Sequence, residues 1–243
     1  MIPTLGIPIL NKPNLLQRFF DSIDDGPIDR LLVIDNGSVI KGANLRWPTD
    51  VGSIHVTDPG YNMGVAGSWN HTIRANMNDP WWVLANNDMK LSPGSLRALS
   101  DSMSDIDHNE TPVISRIQVG NEDWGNHFGV FAVNAAAIET VGWFDENLYP
   151  IYFEDTDWMR RAEKLDIRRI LVPSGSFHDG NASWKDSRVL REHNKKSWDG
   201  NVKYFDSKWD NEGFTYREWL PPQLSRLRNQ QWPVERKDSG PIQ

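Results

Sequence analysis

Residues 81–88 read Trp81-Trp82-Val83-Leu84-Ala85-Asn86-Asn87-Asp88, five apolar residues followed at once by three polar ones. A run that short and that apolar is a strand buried on both faces, and such strands belong to sheets covered by helices on both sides. Residues 30–38 repeat the pattern: Leu31-Leu32-Val33-Ile34 ends abruptly at Asp35-Asn36-Gly37-Ser38. Outward from these, residues 4–10 and 53–57 read as further strands. A helix opens at Pro13, a residue tolerated in a first turn, and carries Leu15, Leu16, Phe19, Phe20 and Ile23 on one face. A glycine-punctuated segment, 60–70, leads into a helix to about Met77, and Pro93-Gly94-Ser95 starts another to about Met103. The order is that of a doubly wound α/β sheet, in which ligands bind beyond the carboxyl ends of the strands. Two of those ends carry an aspartate flanked by Asn or Gly.

The rest of the chain is less regular. Residues 111–133 read as strands and loops, 134–141 as a short helix stopping at Gly142, and 153–165 as a helix with its acids first and its arginines later, as the helix dipole favours. A strand at 168–172 precedes a loop, 174–183. A polar helix follows from about 184 to 209, and the proline-bearing segment 221–243 reads as a tail.

Composition narrows the function. The 243 residues are 38% hydrophobic and 24% charged, the balance of a globular protein. With 33 acidic against 26 basic residues the net charge is −7, which argues against a nucleic-acid partner held by a general basic field. With no cysteine there is no disulfide, thiolate nucleophile, zinc ribbon or iron–sulfur cluster. The N-terminus has neither the basic leader nor the apolar run of a signal peptide, and no stretch approaches the ~18 apolar residues of a spanning helix. The expectation is a cytoplasmic protein, or one of the host cytoplasm if the source is viral. Twelve Trp are an excess that serves either packing or the stacking of a flat ligand.

Each candidate site residue has a functional and a structural reading. Asp35 can accept hydrogen bonds from a base or ribose, or simply end its strand in an Asp-Asn-Gly turn. Asn62-Met63-Gly64-Val65-Ala66-Gly67-Ser68-Trp69-Asn70 either presents open amides at a helix N-terminus, a seat for phosphate, or packs closely; it is neither G-x-G-x-x-G nor a P-loop. Asp88 offers a carboxylate to Mg²⁺ or Mn²⁺, or caps a turn. Glu154-Asp155-Thr156-Asp157 supplies a general base, or complements the helix dipole. His178 is a satisfied surface side chain unless it joins Asp88 at a metal.

Taken in order, IPILNKPNLL (7–16), VIDNGS (33–38), NMGVAGSWN (62–70), VLANNDMKLSPGSL (83–96), VGWFDENLYPIYFEDTDWMRR (141–161) and FHDGNAS (177–183) resemble the family-2 glycosyltransferases, and most closely their rhamnosyl- and galactofuranosyltransferase-like branch. The resemblance covers residues 4–183. It implies a GT-A fold, a Rossmann-like three-layer sandwich with a mostly parallel central sheet. A glycosyltransferase domain would span 1–183, with a nucleotide-binding half to about 105 and an acceptor-binding half from about 106, and a helical extension would span 184–243. Pro8 and Asn11 would lie along the nucleotide base and Asp35 would bind it. Asn62, Gly64 and Asn70 would border the nucleotide-sugar pocket, with Asn86, Asn87 and Asp88 at the DxD position. Asn86 stands where that motif has its first Asp, which weakens a cation site. His178 would complete the metal shell with Asp88. Asp155 would be the catalytic base and Glu154 its acceptor-binding partner or, as the alternative, the base itself, with Trp143 and Trp158 stacking acceptor sugars.

The implied reaction moves a sugar from a UDP or dTDP carrier to a hydroxyl of a glycan, lipid-linked sugar or other acceptor. A divalent cation and helix-end amides would stabilise the departing diphosphate while Asp155 takes the acceptor's proton, so that one displacement inverts the anomeric centre. The alternatives are a nucleotidyltransferase or a sugar-nucleotide-binding module on the same fold. Gly6, alone between Leu5 and Ile7, lacks the glycine-rich loop of the former. Asn86 favours the latter; Asp88, Glu154, Asp155 and His178 together speak against it.

Overall fold

The computed structural model describes residues 1–24, 26, 28–120, 128–179 and 188–210. Strands β1 (Ile2–Ile9), β2 (Ile28–Asp35) and β3 (Val51–Thr57) lie in parallel, and β4 (Trp81–Ala85) joins the free side of β1 in the same sense. Then come β5 (Met89–Lys90), β6 (Val113–Val119), β7 (Val130–Asn134) and β8 (Arg168–His178), giving the order β3-β2-β1-β4-β7-β6-β8-β5. The α/β fold read from the sequence is present, with a sheet parallel in its first half and mixed in its second. Strand β7 runs against both β4 and β6, and β8 runs with β6. With β7 reversed between them, the carboxyl ends of β1, β2, β4, β6 and β8 all reach one edge of the sheet.

Helices α1 (Pro13–Phe20) and α3 (Ser95–Ser102) cover one face, and α2 (Gly64–Ala75), α4 (Ala135–Val141) and α5 (Glu154–Lys164) cover the other. The run at 81–85 shows why. Trp81, Val83 and Ala85 enter the core with Leu16, Phe19 and Leu99, while Trp82 and Leu84 enter the second core with Trp69, Phe131 and Phe144. Alternation along a strand sends successive side chains to opposite faces, so a strand between two helical layers is apolar throughout. Gly6 lets α2 approach β1, because a Cβ there would run into the Thr72 side chain.

Trp143 and Trp158 are not platforms for a ligand. They are 2% and 0% exposed, in the second core. The Trp158 ring stacks on Phe144 with centroids 5.5 Å apart and donates its Nε1–H to the Gly142 carbonyl at 2.9 Å. The packing role holds for both, since an indole gains most by removing its whole surface from water.

Strand β8 runs on to His178, replacing much of the loop read over 174–183. Strand β5, whose two residues carry no periodicity, was not legible. The last helix among the described residues, α6, spans Arg188–Asp210; residues 184–187 and the tail 221–243 lie outside the described residues. Helix α6 is tied to the body of the fold. Lys208, 3% exposed, reaches Asp145 Oδ2 at 2.7 Å and Asp157 Oδ1 at 2.6 Å, and Trp209 Nε1 donates to Asp157 at 3.0 Å. No helix among the described residues is long and apolar enough to cross a membrane.

Candidate active site

At the shared strand edge, Lys12 and Ser38 follow β1 and β2 in the left-handed region, at φ 62° and 52°, a strained placement for residues other than glycine. Asp35, 2% exposed, spends both carboxylate oxygens on the chain beyond it: Oδ1 accepts from Val39 N–H at 2.9 Å and Oδ2 from Ile40 N–H at 2.8 Å. The turn reading of Asp35 is therefore realised. Pro8 is buried within β1 opposite Ile34, and Asn11 is half-buried just past the strand.

The start of α2 is a packing motif, not an open phosphate seat. Met63 N–H donates to Asn36 Oδ1, Gly64 N–H to Asn62 Oδ1 and Val65 N–H to the Pro150 carbonyl, each at 2.9 Å. Gly64 is required there by φ 73° and by the Pro150 carbonyl, 2.8 Å from where a Cβ would sit. Asn70 does not border a pocket. It is fully buried, donating to Phe144 O and Glu146 Oε1 at 2.9 Å each and accepting from Phe144 N–H at 3.1 Å. A buried amide with donors and acceptor all engaged is a strut, and this one fastens the loop before α5 onto α2.

Asn86, Asn87 and Asp88 leave β4 half-buried, as expected. Asn86 extends the β4–β7 ladder through its N–H to Gly129 O at 2.8 Å, and its side-chain amide donates to Phe128 O at 3.1 Å. A carboxylate cannot donate, which accounts physically for an amide at this position. Pairing of β5 with β8 sets Met89 opposite His178 and brings His178 Nε2 to 2.9 Å from Asp88 Oδ1. Arg18 from α1 backs this pair, donating to the Asp88 carbonyl at 2.9 Å and bridging to Asp179.

Adjacent ligands of an octahedral ion at about 2.1 Å lie about 3 Å apart, so Asp88 and His178 are spaced as two ligands of one cation. Among the described residues no group of three His, Cys, Asp or Glu is placed to hold a metal. Asp88 and His178 supply two protein ligands at most, so a cation held here would take its remaining positions from phosphate oxygens and water.

Helix α5 begins on two consecutive left-handed residues, Tyr152 at φ 83° and Phe153 at φ 76°. Asn201 from α6 holds that turn, donating to Ile151 O at 2.7 Å and Tyr152 O at 3.1 Å. The three acids that follow have three different environments. Glu154 is buried, and that burial and then the charge of Asp155 push its carboxyl well above the usual carboxylate range. Its Oε2 has no hydrogen-bond partner among the described residues. Asp155 is half-buried, with Oδ1 accepting from Thr156 N–H at 2.7 Å and Oδ2 from Phe128 N–H at 3.4 Å. Burial alone would raise the Asp157 carboxyl, but Arg161 and Lys208 hold it below its ordinary value. Phe128 links the two motifs: its carbonyl takes the Asn86 amide and its N–H faces Asp155.

Asn36, Asn201 and Lys208 escaped the sequence reading. Asn36 lay inside a recognised turn. The other two sit on a polar helix whose partners are some fifty residues distant, and no local pattern marks them.

No family model matches the chain. A galactofuranosyl glycosyltransferase of Leishmania donovani is 40% identical over 62 residues, which are 25% of this chain and only 14% of that relative. Among solved structures, glucosyl-3-phosphoglycerate synthase from Mycobacterium tuberculosis, in complex with Mn²⁺, UDP and glucosyl-3-phosphoglycerate, superposes with a TM-score of 0.53 at 16% identity, covering 85% of this chain and 79% of that one. The enzyme GalNAc-T7 with UDP, GalNAc and Mn²⁺ matches at 0.53 and 13% identity, over 93% of this chain and 54% of that one. The fold is that of the GT-A glycosyltransferases.

Proposed function

We propose that this protein is a nucleotide-sugar glycosyltransferase, moving a sugar from a UDP or dTDP carrier to a hydroxyl of a glycan or other acceptor with inversion. The observation that carries the reading is the convergence at one sheet edge of the Asp88–His178 pair with Asp155, joined through Phe128. In this reading residues 1–183 form the catalytic domain and the activity is cytoplasmic, a location that cell fractionation tests.

Asp155 is the general base, since it is the least buried of the three acids and stands beside the Asp88–His178 pair through Phe128. Glu154, whose carboxyl is pushed well above the usual carboxylate range by burial and then by the Asp155 charge, orients the acceptor by hydrogen bonding. Two adjacent carboxyls in different environments, one buried and one half-buried, divide these roles. Asp88 and His178 would hold Mn²⁺ or Mg²⁺, which when bound neutralises charge developing on the diphosphate. Pro8, Asn11, Asn62, Asn86 and Asn87 line the nucleotide-sugar side, and Asp35 shapes it through the turn it caps.

Calorimetric titration with UDP and dTDP, with and without Mn²⁺, tests the donor side: metal-enhanced binding of one of them, lost in Asp88→Ala, is expected. Absence of binding under every condition overturns the reading. Asp155→Asn is expected to lower turnover by about 10²–10⁴-fold with nucleotide affinity unchanged. Turnover within a few-fold of the parent removes Asp155 as base.

A further inference from the structure

With Trp143 and Trp158 in the core, the acceptor side lacks the aromatic face that the sequence pointed to. Helix α6 carries one. Trp198 is 43% exposed, although its ring packs on Phe153 and Tyr152 with centroids 4.8 Å and 5.3 Å away. Phe153 is the residue before Glu154, so the exposed indole adjoins the turn that presents the acid pair. Asn201, three residues along the same helix, clamps the carbonyls of Ile151 and Tyr152. Lys208, a few turns further, anchors the helix to Asp145 and Asp157. Indole, turn and carboxyl pair are thus one rigid assembly, the pre-organisation a stacking site requires.

We propose that Trp198 is the surface on which the ring of the acceptor sugar stacks. This rests on the glycosyltransferase reading and names a subsite within it. A sugar ring has an apolar C–H face and a rim of hydroxyls. The face suits a flat aromatic surface, and the rim needs a few placed polar groups, which Glu154 and Asp155 supply next door.

The test uses the full chain labelled with 5-fluorotryptophan, the Trp198 fluorine signal being assigned by its loss in Trp198→Phe. The probes are the methyl glycosides of galactose, glucose and rhamnose, with UDP and dTDP titrated in parallel. A saturable shift of the Trp198 signal with at least one glycoside is expected. Trp198→Ala should weaken that glycoside about tenfold, Trp198→Phe less, and nucleotide affinity should stay unchanged. Trp198→Phe keeps a ring against Phe153 and Tyr152, so its melting temperature should stay near the parent's, and unchanged nucleotide affinity in Trp198→Ala shows that this variant is folded. Nucleotide binding with a Trp198 signal that no glycoside moves, or undiminished glycoside affinity in Trp198→Ala, overturns the proposal alone. A parent that binds neither nucleotide overturns the underlying reading and this subsite with it.

Discussion

The two sides of the candidate site are held together by different chemistry. On the nucleotide side, beside the part-exposed Arg18–Asp179 bridge, the joints are mostly side-chain amides and hydroxyls: Asn36 binds Ser68 and the Met63 amide, Asn62 caps Gly64, and Asn70 spans α2 to the Phe144 backbone and the Glu146 carboxylate. On the acceptor side the joint is a buried ionic cluster in which Lys208 sits between Asp145 and Asp157, and Arg161 completes Asp157 at 2.9 Å with both side chains fully buried. Neutral hydrogen bonds contribute about 1 kcal/mol each and fail gradually. A buried ion cluster holds geometry tightly, and losing one member leaves an uncompensated charge in low dielectric. The acid pair is therefore mounted on the more rigid, and more breakable, half.

Three substitutions probe that contrast. Lys208→Ala should cost about 3–5 kcal/mol in urea unfolding at neutral pH, since two fully buried carboxylates lose their shared cation. Asp157's depressed proton affinity contributes stability that is present above the ordinary carboxyl value and lost as pH falls through the folded one. The Lys208→Ala deficit should accordingly shrink in acid, and a deficit below 1 kcal/mol at pH 7 would erase the distinction between the two sides. Asn70→Ala should cost about 1–3 kcal/mol by orphaning the Phe144 N–H and carbonyl, with little dependence on pH. The smallest change should be a gain. Because Glu154's folded proton affinity is raised, its ionisation opposes folding increasingly as pH climbs above the unfolded value. Glu154→Gln should thus melt near the parent at pH 4.5 and progressively above it at higher pH, with turnover reduced.

Much of the fold was legible because strands buried on both faces must be apolar throughout: of the eight strands among the described residues, β1 to β4 were placed within two residues at each end and β8 at its start. The two-residue β5 and the reversal of β7 were not legible, since neither length nor direction of pairing leaves a periodic mark. For the site, Asp88 and His178 were named from order and chemistry, and the fold brings them to 2.9 Å. Gly64 and Asn70 were named for a pocket and turned out to be packing elements. Both readings need the same residue types, and only the partners across the fold tell them apart.

By itself, the sequence determined the layered architecture, the strand ends as the place for chemistry, and the acids available there, because hydrophobic period and turn chemistry are local properties of a chain. Tertiary structure decided which of Glu154, Asp155 and Asp157 is buried with its proton affinity raised, half-buried, or locked in an ion cluster, and which Trp stays at the surface. Those outcomes depend on desolvation and on charges such as Lys208, fifty-one residues away along the chain from Asp157. No run of neighbouring letters encodes them.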